Sequence, residues 1–462
     1  MTPTVDTLDF RILDAEYSAS LERIVAVSAA PQNRLHIYDP IAQSGVAVPL
    51  SLPPLCVGVS PDGLRAAVGH DAWVTIVDLT TATVLNTYSV PAIAFDIVLS
   101  ANGFAYVMPL VDQWVTIKCL NTATGAVTNS TGGSIRAGTK MRAHPGGSSI
   151  YGANNGLSPS DIERYSIVSG TLQRLYDSPY HGDYAMCGDL WITADGLRIL
   201  TKCGNTFRAS PVQSEDMTYI GALPGVSGVA YANHSVQTNK ILVIASGATN
   251  DRKLRIHDAA FLGFDGEVSL PTFPAGPGNF PSHGRFVFHD AAGTRAFTVV
   301  QADPTSGLIL DSGIATYTFP GGCTGSWSNY CTSTPNSTGV PATIELTGSL
   351  GIAANDSWVR ATNCPPNAIG IFIFGGAQGL VPFGDGYLCF DLFGPGLHRL
   401  FRNTRVGPTG IAELKINFPY LPATTPIPAG STQNFQFWFR DAQGPGGQGF
   451  NTSNAAQATF CN

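Results

Sequence analysis

Charged side chains and a histidine lie at the starts of several short apolar strands of this 462-residue sequence. They are Asp96, Lys140, Arg142, Asp189, His283 and Arg285. Acids, bases and cationic groups that converge in one pocket can bind a polar ligand or transfer protons. Each residue also has a structural explanation, because the acids could accept backbone hydrogen bonds and the arginines could pair with the acids. The sequence predicts a ligand-binding pocket at these residues and leaves catalysis open.

Specific catalytic patterns are missing from the sequence. It contains no G-x-S-x-G nucleophile turn and no H-E-x-x-H zinc motif. Glycoside hydrolysis needs two carboxylates about 5–10 Å apart, which a sequence alone cannot place. Asp96, Asp189 and Asn154 could supply the oxygen ligands that Ca²⁺ prefers. We therefore expect no cofactor, with calcium as the one alternative.

A second candidate site is the polar, aromatic segment "SPYHGDY", which contains Tyr180, His181 and Tyr184. Aromatic rings stack on sugar faces and anchor protein interfaces. The segment is predicted to be a loop that contacts a ligand. The alternative is that its rings pack inside the fold.

Repeated turns indicate the elements that position these residues. "SPDG" ends at 63, "SANG" at 103, "HPGG" at 147 and "TADG" at 196, and each follows an apolar strand. Weaker copies near residues 20, 238 and 293 complete seven units. Repeats of roughly 40–50 residues with four strands each are typical of propeller blades. The sequence predicts an all-β chain with a seven-bladed β-propeller over residues 1–320, whose inner strands carry the candidate pocket.

The amino-acid composition of the chain changes at about residue 320. Residues 321–335 are rich in Gly, Ser, Thr and Pro and are predicted to be a linker. Alternating strands follow, including "AIGIFIFGG" and "NFQFWFRD". They predict a β-sandwich over residues 336–462.

Composition excludes some classes of partner. The formal net charge is −7 and charged residues make up 12% of the chain, which argues against nucleic acid as a partner because phosphate binding needs clustered Lys and Arg. No run of about 18 apolar residues occurs, so no membrane span is predicted.

Two cysteines suggest the compartment. Cys187 and Cys203 are equally far from Asp195 in "MCGDLWITADGLRILTKCG". A hairpin with Thr193 opposite Leu197 would place them face to face, close enough for a disulfide. The alternative is a pair of buried free thiols. A disulfide implies an oxidising, extracellular or cell-surface location. Because "MTPTVDTLDF" is not a signal peptide, we expect that one has been removed, and a cytosolic protein with reduced thiols is the alternative.

The remaining cysteines allow several connectivities. We expect Cys331 to pair with Cys461, closing a loop of about 130 residues, and Cys364 to pair with Cys389. Three cysteines are then left over, of which at least one is free or pairs between chains: Cys56, Cys119 and Cys323.

Two stretches resemble known families. "SPDG…AWVTIVDLTTATVLNTY" resembles the YVTN-type repeat of lactonase-like propellers of a secreted bacterial type, over about residues 8–320. This resemblance implies the fold only. "YCTSTPNSTG", "VPFGDGYLCF", "AGSTQNFQFWFRD" and "GFNTSNAAQATFCN" are similar to a C-terminal domain that recurs at the ends of secreted bacterial proteins.

These observations favour a secreted or cell-surface binding protein. Its propeller would present a surface to a glycan or protein, and its C-terminal sandwich would be an accessory module. One alternative is an extracellular lactonase-like or polysaccharide-degrading enzyme that uses the mouth of the propeller channel. The other is a structural matrix or filament subunit that associates with copies of itself.

Overall fold

The computed structural model describes residues 3–319 and 326–461, apart from short gaps. The gaps are residues 155, 169, 248–249, 276–277, 353, 392–395, 401–402, 422–425 and 429. The chain divides into two compact units, Met1–Thr318 and Phe319–Asn462. The described residues are nearly all β. Their helices are three single 3-10 turns, Asn250–Arg252, Pro304–Ser306 and Phe418–Tyr420. None of these is long and apolar enough to cross a membrane.

The first unit opens with a short strand, β1 (Val5–Thr7), and a four-stranded antiparallel sheet follows. The strands of that sheet lie side by side in chain order: β2 (Asp14–Ser18), β3 (Arg23–Ser28), β4 (Arg34–Asp39) and β5 (Ser44–Pro49).

The next sheet has seven strands because one of them is unusually long. Its strands are β6 (Cys56–Val59), β7 (Arg65–Gly69), β8 (Asp71–Asp78), β9 (Thr83–Leu99), β10 (Phe104–Pro109), β12 (Lys118–Asn121) and β13 (Val127–Asn129). The first part of β9 pairs with β8 and its last part with β10. The sheet is therefore two four-stranded groups that share β9. Beside it, β11 (Trp114–Val115) pairs with β14 (Ile135–Arg136).

Three further four-stranded sheets follow in chain order. The first contains β15 (Lys140–Ala143), β16 (Ser149–Ala153), β17 (Ile162–Ser166) and β18 (Gln173–Asp177). The second contains β19 (Leu190–Ile192), β20 (Arg198–Thr201), β21 (Asn205–Arg208) and β22 (Tyr219–Ala222). The third contains β23 (Val229–Ser235), β24 (Lys240–Ala245), β25 (Lys253–Asp258) and β26 (Phe264–Ser269).

The last sheet of the first unit joins the beginning of the unit to its end. After a hairpin of β27 (Phe273–Ala275) and β28 (Gly278–Phe280), it is built from β29 (Ser282–His289), β30 (Arg295–Ala302) and β31 (Ser312–Thr318). Its fourth strand is β1, where Val5 lies opposite Ala315 and Thr7 opposite Gly313. Several antiparallel sheets of this kind are consistent with a β-propeller-like fold.

The turns between first and second strands repeat one hydrogen-bond pattern. In one sheet, the Asp62 side chain accepts from Ser60 Oγ and from the amide of Leu64. In another, Asp195 accepts in the same way from Thr193 Oγ1 and the amide of Leu197. The glycine that follows each aspartate has a positive φ, near 73° in both turns, which glycine adopts without steric cost. The repeated sequence motif is thus a repeated physical turn.

The hairpin register differs from the predicted one by one residue. Thr193 lies opposite Arg198, not Leu197, and Ile192 pairs with Ile199. The Asp195 turn is longer than predicted, because its side chain holds the amide of Leu197 inside the loop. The two cysteines lie beyond the paired residues of β19 and β20. Cys187 and Cys203 are nevertheless at disulfide distance, with their Cα atoms 5.5 Å apart.

The second unit contains three antiparallel sheets. A six-stranded sheet has β41 (Thr432–Arg440) between β42 (Phe450–Thr459) and β35 (Ile369–Gly375), with β32 (Trp327–Tyr330), β38 (Leu397–Arg399) and β39 (Thr404–Arg405) outside them. A three-stranded sheet contains β33 (Thr343–Gly348), β34 (Ser357–Thr362) and β40 (Ala412–Ile416). A hairpin is formed by β36 (Gln378–Phe383) and β37 (Gly386–Phe390). Residues 327–330, predicted as linker, are thus a strand paired with β42.

One apolar core joins the two larger sheets of this unit. Phe435, Phe437 and Phe439 alternate along β41 and are completely buried in it. Residues of β33 and β34, such as Ile344 and Val359, belong to the same cluster. The spacing of the phenylalanines follows the two-residue period of a strand with one buried face.

The cysteine pairing of the second unit corrects the prediction. Cys331 pairs with Cys389, with the Cα atoms 6.2 Å apart, and does not pair with Cys461. The hydroxyl of Tyr330 donates to the carbonyl oxygen of Cys389 over 2.8 Å, which brings the two segments together. Cys364, predicted to pair with Cys389, is a buried free thiol, and burial raises its pKa to about 12.

The other cysteines include both bonded and free side chains. Cys461 is disulfide-bonded. Cys56 and Cys119 are buried free thiols, whereas Cys323 lies outside the described residues.

Candidate functional site

A cavity of about 390 Å³ lies where the first strands of the sheets in the first unit begin. The four-stranded sheets contribute lining residues on or just before β2, β15, β19, β23 and β29, with Arg285 and Phe286 in the middle of β29. The seven-stranded sheet contributes just before β6 and in the second half of β9. The polar lining residues are Asp14, Glu16, Asp96, Lys140, Arg142, Asp189, Tyr231 and Arg285. Five of the six predicted pocket residues are thus brought together, although they come from sequence positions up to 189 residues apart.

Asp96 is the centre of the hydrogen-bond network in this cavity. Its Oδ1 lies 3.2 Å from Nζ of Lys140, and its Oδ2 lies 3.4 Å from Nη1 of Arg142. Oδ2 also accepts from the amide of Met141 over 2.6 Å. Since Asp96 is on β9 and its partners are on β15, one carboxylate connects two neighbouring strands.

Arg142 connects the cavity to the next sheet. Its Nη2 lies 3.5 Å from Oδ1 of Asp189, the residue before β19. Burial opposes the charge of Arg142, but Asp189 and Asp96 outweigh burial and raise its pKa. In the same way burial opposes the charge of Lys140, while Asp96 and Asp14 raise its pKa. Both cations are therefore charged at any physiological pH, and both are already paired with acids.

Two acids on β2 were missed by the sequence analysis. Oδ2 of Asp14 accepts from the amide of Val57 over 2.9 Å, so it connects β2 to β6 as Asp96 connects β9 to β15. Glu16 follows two residues later on the same strand and also lines the cavity. Burial raises the pKa of Glu16 to about 7, although Arg142 lowers it in part. Among the described residues, the side chain of Glu16 has no hydrogen bond and no ion pair within 4 Å.

Aromatic rings and small or aliphatic side chains form the remainder of the wall. Nζ of Lys140 lies 4.8 Å from the centre of the Phe95 ring. Tyr231 contacts Phe286 edge to face, with the ring centres 5.3 Å apart. Arg285 is the most exposed of the lining cations, and its Nη1 donates to Gln301 over 2.8 Å. The cavity thus combines charged groups with apolar ring surfaces, the mixture found in many ligand sites.

His283 is the predicted pocket residue that lies elsewhere. Its Nδ1 is 2.9 Å from Oδ2 of Asp251, and its Nε2 is 3.1 Å from Oδ2 of Asp303. Partial burial opposes the charged imidazole, but the hydrogen bonds with Asp303 and Asp251 outweigh it and raise the pKa of His283. This histidine connects β29 to the two 3-10 turns of the first unit.

The aromatic loop is packed inward. The ring of Tyr184 stacks on Tyr219 at 3.9 Å between centres and meets Tyr180 edge to face at 4.7 Å. The Tyr180 hydroxyl accepts from the amide of Tyr219. Of the three predicted residues, His181 alone is largely exposed, with Nδ1 3.4 Å from Asp161. The two tyrosine rings therefore serve packing, which leaves little ring face for a ligand.

The three predicted calcium ligands are not brought together. Arg142 lies between Asp96 and Asp189 and is ion-paired with both. Asn154 does not line the cavity, and its Nδ2 donates to Glu163 over 2.9 Å. Within the described part of the chain, no three His, Cys, Asp or Glu side chains are close enough to hold a metal ion.

Comparison with known proteins does not show a family for this chain. No protein-family model and no curated protein matches the sequence. Among solved structures, the chain is similar to one titled hydrazine synthase from Kuenenia stuttgartiensis, with 13% sequence identity and a TM-score of 0.49. The match covers 68% of this chain and 97% of that one.

Proposed function

We propose that the first unit is a closed seven-bladed β-propeller and that the second is a β-sandwich. The long strand β9 belongs to two groups of strands. When it is counted in both, the described sheets of the first unit, apart from two two-stranded sheets, form seven four-stranded groups. All seven contribute to one cavity, as inner strands around a propeller axis would. The pairing of β1 with β31 supports ring closure, because it joins the first strand of the unit to its last.

The chain is, in this proposal, a secreted or cell-surface binding protein whose cavity takes a small polar ligand of the glycan class. The observation that carries the proposal is the cavity itself. Its volume of about 390 Å³ falls within the range of ligand pockets, and its wall offers charged groups for hydroxyls beside rings for a sugar face. The two disulfide-distance pairs, Cys187–Cys203 and Cys331–Cys389, fit an oxidising environment.

Binding of sugars to the full chain tests this proposal. Ala230 lies at a bulge of β23 and lines the cavity, so Ala230→Trp should fill it. Val168→Trp, at a position 80% exposed, is the matched control. Isothermal titration with mono- and oligosaccharides should show binding by the wild type and the control, and at least tenfold weaker binding by A230W. Equal affinity in A230W would place binding elsewhere, and failure of every sugar to bind the wild type would reject the glycan class.

A hydrolase is the second candidate function. Glu16, with a pKa of about 7, suits a proton donor near neutral pH, and Asp14 and Asp96 line the same cavity. Turnover of a sugar polymer or lactone that falls by at least a hundredfold in Glu16→Gln would support this function. Binding without turnover in the wild type would reject it.

A further inference from the structure

The carboxylates of the cavity differ in whether they already have hydrogen-bond or ion-pair partners within the protein. Asp14 accepts from the amides of Ala15 and Val57. Asp96 and Asp189 each accept from a backbone amide and pair with Arg142. These three acids are engaged in holding neighbouring strands together. Glu16 is the lining acid that the described residues leave without such a partner.

The charges of the wall do not balance. Four carboxylates line the cavity, those of Asp14, Glu16, Asp96 and Asp189, against the three cations Lys140, Arg142 and Arg285. Two of the cations are committed to Asp96 and Asp189. The third, Arg285, is exposed and bonds to Gln301. Among the described residues, Asp14 and Glu16 are thus the lining carboxylates without an ion pair within 4 Å, and of these two only the Asp14 side chain accepts hydrogen bonds, so that Glu16 has the charge of Arg142 near it but no direct partner.

The surroundings of Glu16 favour a particular kind of ligand group. A carboxylate held away from water is stabilised by an opposite charge. Tyr231 and Phe286 contribute ring surface to the same wall, and a cation over an aromatic face is attracted by the ring quadrupole. An ammonium group would satisfy both features, whereas a second anion would meet repulsion from Glu16.

We propose that Glu16 selects a ligand carrying an ammonium group, so that the cavity takes an amino sugar in preference to the neutral sugar of the same size. This inference rests on the proposed function, because it assigns a specificity to the same cavity. Glu16 ionises on binding and releases its proton to solvent. The raised pKa of Glu16 in the free protein fits such a release near neutral pH.

Titration of the full chain with glucosamine, N-acetylglucosamine and glucose tests the inference. At pH 7 the wild type should bind glucosamine at least tenfold more tightly than glucose, with N-acetylglucosamine similar to glucose. In Glu16→Gln the preference should disappear, and in Glu16→Asp, which keeps the charge, it should persist. Repeating the titration in two buffers of different ionisation enthalpy should reveal proton release in the wild type and none in E16Q.

The possible outcomes distinguish a failure of this inference from a failure of the proposed binding function. Equal affinity for glucosamine and glucose in the wild type overturns the inference and leaves the binding function intact. A preference that survives in E16Q, with the melting temperature unchanged, also overturns it. If no sugar binds the wild type, the proposed function falls and the inference falls with it.

Discussion

Arg164 and Asp216 form a buried ion pair between two successive sheets, with 2.8 Å between Nη1 and Oδ2. Arg164 lies on β17, and Asp216 lies in the connection between β21 and β22. The hydroxyls of Tyr151 and Tyr176 donate to the same carboxylate over 2.9 and 3.2 Å. The amide of Ser210 donates to it as well. Asp216 therefore joins two sheets through three side-chain donors of the neighbouring sheet, while the amide of Ser210 holds it within its own connection.

Removing this acid should strongly destabilise the first unit. Asp216→Ala leaves Arg164 buried without its counter-charge, and loss of one partner of a buried pair typically costs about 3–5 kcal/mol. Chemical denaturation of the full chain, followed by circular dichroism, measures the change. Asp177→Ala is the control, because Asp177 pairs with Arg174 at the surface with 44% of its side chain exposed. Its expected cost is about 0–1 kcal/mol, and equal losses in the two variants would contradict the prediction.

The stabilisation provided by His283 should depend on pH. Burial by itself would lower the pKa of His283. The hydrogen bonds with Asp303 and Asp251 outweigh burial, so that the pKa is raised in the folded state. Protonated His283 therefore stabilises the fold fully below its ordinary pKa of 6.5, and this contribution is lost as the pH rises through the higher folded value. His283→Gln should lower the melting temperature clearly at pH 5.5 and by less at pH 9.

Asp251→Asn serves as the control for that experiment. It removes one of the two acids that favour the charged imidazole. In this background, the loss of melting temperature caused by His283→Gln should change less with pH. A wild-type advantage that stays constant from pH 5.5 to 9 would show that the histidine contributes by packing alone.

The Cys187–Cys203 and Cys331–Cys389 disulfides should stabilise the chain by similar but unequal amounts. The Cys331–Cys389 bond joins residues 58 apart and the Cys187–Cys203 bond joins residues 16 apart. Loop-closure entropy then predicts losses of about 4 and about 3 kcal/mol when each pair is replaced by serine. Urea denaturation of each double variant measures the loss. A reductant should destabilise the wild type, and no change in either double variant would argue that the bonds do not form in solution.

The sequence was most informative where one local interaction repeats. The Asp62 and Asp195 turns could be predicted because each depends on a few neighbouring residues. The register of the strands around Asp195 was wrong by one residue, since Thr193 lies opposite Arg198 and not opposite Leu197. Asp96, Lys140 and Arg142 were found because they lie a few residues before recognisable turns, although Asp96 is in the second half of the long β9 and not at the start of a strand.

The residues that were not predicted correctly have positions set by contacts between segments far apart in the sequence. Glu16 lies in "DAEYS", whose position at the cavity is set by pairing across the whole first unit. Tyr184 was expected to be available to a ligand, but Tyr219, in another strand, covers its ring. Cys331 pairs with Cys389, 58 residues away, and the hydroxyl of Tyr330 beside it donates to the carbonyl oxygen of Cys389. None of these contacts has a local signature in the sequence.

The pairing of β1 with β31 determines when the first unit can be completed. Val5 leaves the ribosome long before Ala315, its partner, so β1 must remain unpaired throughout the synthesis of every intervening sheet. An unpaired strand is a template for any neighbouring chain. Until its last strand is made, the nascent protein therefore carries a strand that other copies could pair with, and the first unit is complete only when its earliest strand has joined β31.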